Sequence, residues 1–245
     1  MKKFATVLFL ASVFCIQAFA VTPLKMVYFK DGAPYSFSKD GKMTGILIDI
    51  VNEIIKKRMG IPVVHKGYPW ARAQMLVKNG KADGFISVST PTRKKYVETG
   101  KEPVIDIVFK MFVNAQNKKM NEFKTVQKLS DLKKFKLGSY NGCGWAKARL
   151  KNMDIDWSDG AGITVKKLIK RRFDIFIDAT RGIRWNIKKL GYKDEIVELP
   201  QVLDQMPFIL CIGKNSPHMK IISKFDSILK DIKKDGTWQK ILDKY

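Results

Sequence analysis

Short runs of consecutive apolar residues alternate along this chain with stretches where apolar positions recur every three or four residues. Leu24 to Phe29 is a compact apolar run of strand type. From Gly45 to Met59, Leu47, Ile50, Val51, Ile54 and Ile55 fall at helical spacing, and Gly60 and Pro62 close that segment in the order a helix end requires. Pro62 to His65 reads as a strand and Trp70 to Lys78 as a helix stopped by Gly80. Ala82 to Ser89 reads as a buried strand running into a Thr-Pro turn.

The rhythm changes after residue 103. Val104 to Val113 is a long apolar run, followed by polar, lysine-rich Asn114 to Lys128. Ser130 is placed to cap a short helix, and Phe135 to Tyr140 is strand-like. Ile163 to Lys170 is amphipathic, Phe173 to Asp178 reads as a strand and Thr180 to Leu190 as a helix. Met206 to Ile212 is a second long apolar run. In the tail, Ile221, Ile222, Phe225, Ile228, Leu229 and Ile232 share one helical face, Gly236 ends it, and Thr237 is placed to cap a last turn. Such alternation predicts an α/β protein with mainly parallel sheets flanked by helices. Two long apolar runs bracketing a central block suggest two lobes, the second inserted into the first.

The first twenty residues follow another logic. Lys2 and Lys3 precede a stretch from Phe4 to Ala20 that is apolar except for Thr6, Ser12 and Gln17, and Ala18-Phe19-Ala20 presents small residues where a signal peptidase needs them. The expectation is a cleaved secretory signal over residues 1–20 and a periplasmic protein. Bulky Phe14 before Cys15 argues against a lipoprotein site. The 46 lysines and arginines stand against 23 acids, a net charge of +23. The basic residues are scattered rather than grouped beside aromatic platforms, so nucleic acid is not expected as a partner; a solvated lysine-rich surface, or attraction to an anionic surface or ligand, remains open.

Beyond the leader the cysteines are Cys143 and Cys211, too few and too far apart for a disulfide framework. His65 and His218 lack metal-ligand spacing, and no nucleophile-elbow, phosphate-loop or zinc-protease motif is present. Neither cofactor nor metal is expected, and an enzyme is not.

Several segments resemble the bacterial extracellular solute-binding proteins of family 3, which serve polar amino-acid importers. They are Ala33-Pro34-Tyr35-Ser36-Phe37 with Asp40 to Gly45, Gly80-Lys81-Ala82-Asp83-Gly84 leading to Ser89-Thr90-Pro91-Thr92-Arg93, Leu129-Ser130-Asp131-Leu132 to Gly138 and Gly142, Leu168 to Asp178, and Lys234-Asp235-Gly236-Thr237-Trp238 to Tyr245. The resemblance implies a type II periplasmic-binding-protein fold: lobe one over 21–109 plus 214–245, lobe two over 110–213, joined by two crossing strands. It implies a monomer that captures an amino acid or related carboxylate and hands it to an ABC permease in the inner membrane. A ligand-presenting sensor, or a periplasmic lyase or dehydratase on the same scaffold, are the alternatives.

Arg93 is the first candidate contact, because a guanidinium fork pairs with a carboxylate through two parallel hydrogen bonds and the residue follows a strand end. The family's matching arginine holds the ligand carboxylate, and Ser89 and Thr90 would add donors. Gly142 and Cys143 lie between a strand and a helix, where backbone amides face outward; Cys143 replaces the family's frequent hydroxyl, and a plain turn is equally open. Tyr35 and Trp70 are candidate aromatic walls, Trp70 being equally a core residue. Family members usually hold the ammonium with an acid at the position of Ala179. Asp178 stands one residue earlier, on the opposite strand face unless the strand end is irregular, so it either meets the ligand or caps the next helix. Arg181 and Arg184 near that edge would suit a more acidic ligand, although placement at the surface is the expectation for either.

Overall fold

The structure is a computed structural model, and residues 22–245 are described. The signal segment expected over residues 1–20 lies outside them. Among the described residues the strands are β1 (Leu24–Phe29), β2 (Asp31–Gly32), β3 (Ser36–Lys39), β4 (Lys42–Thr44), β5 (Val63–Tyr68), β6 (Gly84–Ser87), β7 (Val97–Thr99), β8 (Ile105–Asn114), β9 (Leu137–Tyr140), β10 (Ile155–Ser158), β11 (Ile175–Ala179) and β12 (Ile196–Gly213). The α-helices are α1 (Ile46–Val51), α2 (Trp70–Lys78), α3 (Pro91–Lys94), α4 (Met120–Lys124), α5 (Gly144–Arg149), α6 (Ala161–Ile169), α7 (Thr180–Leu190), α8 (Ile222–Lys234) and α9 (Thr237–Leu242).

The order of the main sheet is β10-β9-β11-β8-β12-β6-β1-β5, with β7 beside the end of β12. Parallel pairing joins β1 to β5 and β6, and β9 to β10 and β11, whereas β8 and β12 run antiparallel to their neighbours. The fold is therefore the type II periplasmic-binding-protein arrangement. Of its strands, β12 belongs to both halves: Ile196 to Phe208 pair with β8, and Ile209 to Ile212 pair with β6. Its register against β8 shifts between Glu198 and Val202 and again between Val202 and Asp204, irregularities of the kind that bend a strand.

The largest core cluster runs from Leu24, Met26, Ile50 and Ile54 in one half to Leu137, Ile175 and Ile177 in the other. Smaller clusters lie under α2, around Val27, Ala73, Val77 and Phe85, and under α6 and α7, around Phe112, Leu168, Phe176 and Ile183. The helix predicted over Gly45–Met59 begins as α1 and widens to π-type turns over Asn52–Arg58, where the Met59 N–H reaches the carbonyl of Ile54.

Two expected caps are corrected. Ser130 does not cap the short turn over Leu129–Lys134; the Asp131 carboxylate reaches back to the N–H groups of Gln127 and Lys128 at 3.0 and 3.1 Å. At the last helix Thr237 is already inside the first turn, and Asp235 accepts its N–H at 2.9 Å. In both places a carboxylate, the stronger acceptor, takes the position expected of a hydroxyl.

Candidate functional site

Buried β6 carries the chain to the junction of the two half-sheets, where Ser87 to Thr90 lead into α3. Thr90 caps that turn, its hydroxyl oxygen accepting the Arg93 N–H at 3.3 Å, and Pro91 opens it, as a fixed φ favours. The cap sends the Arg93 side chain back across the strand end. There Nε donates to Gln74 Oε1 at 3.0 Å, and Nη1 donates to Ser87 Oγ at 3.1 Å and to the Val88 carbonyl at 2.8 Å. The guanidinium centre sits 5.2 Å from the centroid of the Trp70 ring, which meets Phe85 edge-on at 5.3 Å. Trp70 is thus a core residue on one face and a floor for Arg93 on the other. Among the described residues Nη2 of Arg93 has no hydrogen-bond partner, and Ser89 Oγ is buried with none. Burial moves the Arg93 pKa below its ordinary value, yet the side chain stays charged at any physiological pH. Arg93, Thr90 and Trp70 therefore form one constellation, joined by Gln74 and Ser87, with Ser89 next to Thr90 in the chain.

Tyr35 lies on the connection between β2 and β3. Its carbonyl and that of Pro34 accept the N–H groups of Leu47 and Ile46 at 2.9 and 3.0 Å, which satisfies donors at the start of α1. The approach is close enough that a Cβ on Gly45, whose φ is +123°, would stand 2.6 Å from the Tyr35 carbonyl. The ring packs on Phe208 of β12, centroids 6.4 Å apart, one residue from the Ile209–Ser87 register pair. Burial raises the pKa of its hydroxyl; the charge and backbone N–H of Arg181 in the first turn of α7 pull the other way, and the Asp178 charge adds to the rise. Phe37 extends that contact by packing on Trp185, ring centroids 5.4 Å apart.

The remaining predicted residues cluster on the second half. Gly142, at φ +95° and exposed, makes the turn after β9. Cys143 is buried, its thiol pushed up to about 11 by burial and by the nearby Asp178 charge. It packs with the core cluster rather than presenting a donor. Both Cys143 and Cys211 are free and buried. Asp178 is 7% exposed and accepts the Ala179 N–H at 2.7 Å. Its carboxylate lies beside the Tyr140 hydroxyl, and its charge helps raise the pKa values of Cys143 and Tyr35. Burial raises its pKa to about 6 against the opposing hydrogen bonds from Ala179 N–H and the Tyr140 hydroxyl.

Arg184 forks onto Glu198 at 2.6 and 2.8 Å, and Lys110 adds a third bond to the same carboxylate at 3.1 Å. Asp204 accepts from the Trp145 indole at 2.7 Å and from Arg149 at 3.0 Å. Two surface cavities, one beside Asp49, Asn52 and Lys244 and the other beside His65, Lys30 and Met43, are lined by none of the candidate residues. Among the described residues no three His, Cys, Asp or Glu are grouped to hold a metal.

The sequence did not single out Gln74, Ser87 or Tyr140. Gln74 stands four residues after Trp70 on α2 and Ser87 closes β6 two residues before Ser89, spacings from which both were recoverable.

The comparisons agree with this architecture. Residues 24–245 match the family described as bacterial extracellular solute-binding proteins, family 3. A probable amino-acid-binding protein, YxeM of Bacillus subtilis (strain 168), is 23% identical over 86% of this chain and 79% of its own length. A probable histidine-binding protein of Campylobacter jejuni subsp. jejuni serotype O:2 is 27% identical over 86% and 80%. Among solved structures, a histidine kinase sensor domain with similarity to periplasmic binding proteins superposes with a TM-score of 0.71 at 16% identity, covering 91% of this chain and 95% of that one. The chain belongs to the bacterial extracellular solute-binding proteins, family 3.

Proposed function

We propose that this protein is exported to the periplasm behind a cleaved signal, captures a small carboxylate-bearing solute of the amino-acid class between two lobes, and delivers it to an ABC importer. In this reading the lobes are residues 21–109 with 214–245, and 110–213. The observation that carries it is the mounting of Arg93: three of its five N–H donors are fixed by Gln74, Ser87 and Val88, and the plane of the fork is held over Trp70. A guanidinium fixed in this way has lost its rotamer freedom before the ligand arrives, so the ligand meets Nη2 preorganised. Ser89 Oγ and the exposed turn at Gly142 supply further polar contacts from the two sides. The role is binding rather than catalysis, in keeping with the names of the curated relatives.

The test is a thermal-shift panel of amino acids and small carboxylates on wild-type and Arg93→Ala protein. A ligand at a hundred times its Kd stabilises by about 2.7 kcal/mol, a visible shift. The shift should vanish in Arg93→Ala, which loses the bonds to Gln74, Ser87 and Val88 and melts lower without ligand but still unfolds cooperatively. A carboxylate that binds both proteins alike would sink the proposal.

A further inference from the structure

Strand β8 leaves the junction where Ile105 pairs with Phe208 and ends at Asn114, about 30 Å away for ten residues of strand. Parallel strands β9 and β11 begin at that same far end, at Leu137 and Ile175. Lys118, Lys119, Lys136, Lys170, Arg171 and Arg172 surround it, and all are exposed. Two tethers gather them. The Asp174 carboxylate accepts from Lys119 Nζ at 2.9 Å and from the Lys136 N–H at 3.2 Å, and Asn114 Nδ2 donates to the Ile169 carbonyl at 3.1 Å, fastening the end of α6 to the end of β8. Asp174 is the acid among them, while Asp154 and Glu195 flank the group at the entries to β10 and β12. Lys119 pairs with Asp174; the other five cations make no ion pair among the described residues. The helix macrodipole accounts for Lys166 and Lys167 in the last turn of α6. It does not account for Arg171, which holds φ at +53°, where a side chain costs stability and glycine does not. Among the described residues no hydrogen bond or ion pair of that side chain offsets the cost, and its neighbours repel it.

We propose that this far end of the second half is a docking surface for the anionic phospholipid headgroups of a membrane. The role is independent of the solute binding proposed above. Interfaces with folded proteins are built around aromatic anchors, and single-stranded nucleic acid stacks on aromatic platforms. The aromatic rings nearest this group, Phe135 and Phe173, are buried. What the surface offers instead is cations on long side chains, which suit a field of phosphates that has no fixed shape. The guanidinium groups of Arg171 and Arg172 can each fork onto a phosphate. With no exposed apolar anchor among the six, attachment would be electrostatic and reversible. The length of β8 separates the docking surface from Arg93, so a molecule held at the membrane keeps its junction open to solute.

The deciding experiment is co-sedimentation of the exported protein with phosphatidylcholine vesicles, with and without added phosphatidylglycerol. Wild type should bind only the vesicles that contain phosphatidylglycerol. Raising salt from about 0.05 to about 0.5 M, which shortens the screening length from roughly 14 to roughly 4 Å, should release it. A cation close to an anionic surface is worth about fivefold in partition, so the combined variant Lys136→Gln, Lys170→Gln, Arg171→Gln and Arg172→Gln should bind on the order of a hundredfold more weakly. The same charge loss on the first half, Lys220→Gln, Lys224→Gln, Lys230→Gln and Lys234→Gln at and along α8, should cost about fivefold at most. Arg171→Gly alone should bind about fivefold more weakly while its urea midpoint rises, a pairing that a purely structural role for Arg171 does not give. Should the four-site variant fail to fold by circular dichroism, Lys136→Gln with Lys170→Gln should still show about a twentyfold loss. Equal losses in the two four-site variants would overturn the inference, assigning the attraction to net charge. Equal binding to neutral vesicles would also overturn it, as would displacement by inorganic phosphate at the headgroup concentration, which would make the patch a site for a soluble anion. The thermal-shift comparison with Arg93→Ala tests solute binding separately, so either reading can fail alone.

Discussion

Gln74 does for Arg93 what no ligand contact does: it accepts from Nε and fixes the rotation of the fork. Gln74→Ala should therefore weaken carboxylate binding several-fold with little change in melting temperature, whereas Gln74→Glu, which pairs with Nε as an ion, should hold the side chain but lower its effective charge toward ligand. Calorimetry on both variants separates positioning from charge. Two titratable side chains, half-buried His65 and buried Asp178, pull stability in opposite directions with pH. His65 donates from Nε2 to Asn52 Oδ1 and accepts the Tyr28 hydroxyl at Nδ1, a neutral ring whose pKa burial lowers to about 4. Its contribution is present above the ordinary value of 6.5 and is lost as pH falls from there through about 4. Asp178, raised to about 6, contributes most below 3.8 and loses that contribution as pH rises through about 6. The two offset each other between about 4 and 6. In Asp178→Asn only the histidine remains, so the urea midpoint should drop on acidification from pH 6.5 to 4 more steeply than in wild type.

At the scale of elements, Gly45 holds a backbone position that only glycine fits, whereas Arg171 holds one that would suit glycine better. Gly45→Ala would press a methyl group into the carbonyls of Tyr35 and Pro34 at 2.6 and 2.8 Å, with φ at +123°. The expected cost is about 1–3 kcal/mol, with Tyr35 displaced from Phe208. Arg171 holds φ at +53° just past α6, where glycine fits without strain. Arg171→Gly should raise stability by about 0.5–1 kcal/mol by urea melts. Elements with strong periodicity were legible beforehand: α2 spans Trp70–Lys78, as its spacing predicts, and α7 spans Thr180–Leu190. The first part of β12 was not, because Glu198, Pro200, Gln201, Asp204 and Pro207 interrupt its alternation; partners on β8, not propensity, hold it extended. The β3–β4 hairpin and edge strand β10 were hidden for the same reason, being short and polar. Of the candidate site, Arg93 could be singled out from the chain by its place after a strand and a Thr-Pro turn, while Gln74 and Ser87 carry no mark of their own until the fold sets them against the guanidinium.

At the scale of the molecule, one core cluster runs through both halves and β12 lies in both half-sheets. Unfolding should accordingly be a single cooperative transition, with near- and far-UV circular dichroism coincident in urea. The Phe37–Trp185 contact joins the two halves, so Trp185 emission should report their approach. The register breaks flanking Val202 in β12 carry a different meaning. Apparent affinity is the intrinsic affinity scaled by the fraction of molecules already in the binding-competent shape. A substitution at Val202 or Leu203 that alters the ease of bending there would multiply the Kd of every ligand by one common factor, leaving their ratios untouched. Strength and selectivity would then be separately heritable traits, one written in the bend of a strand and the other in the residues that meet the ligand.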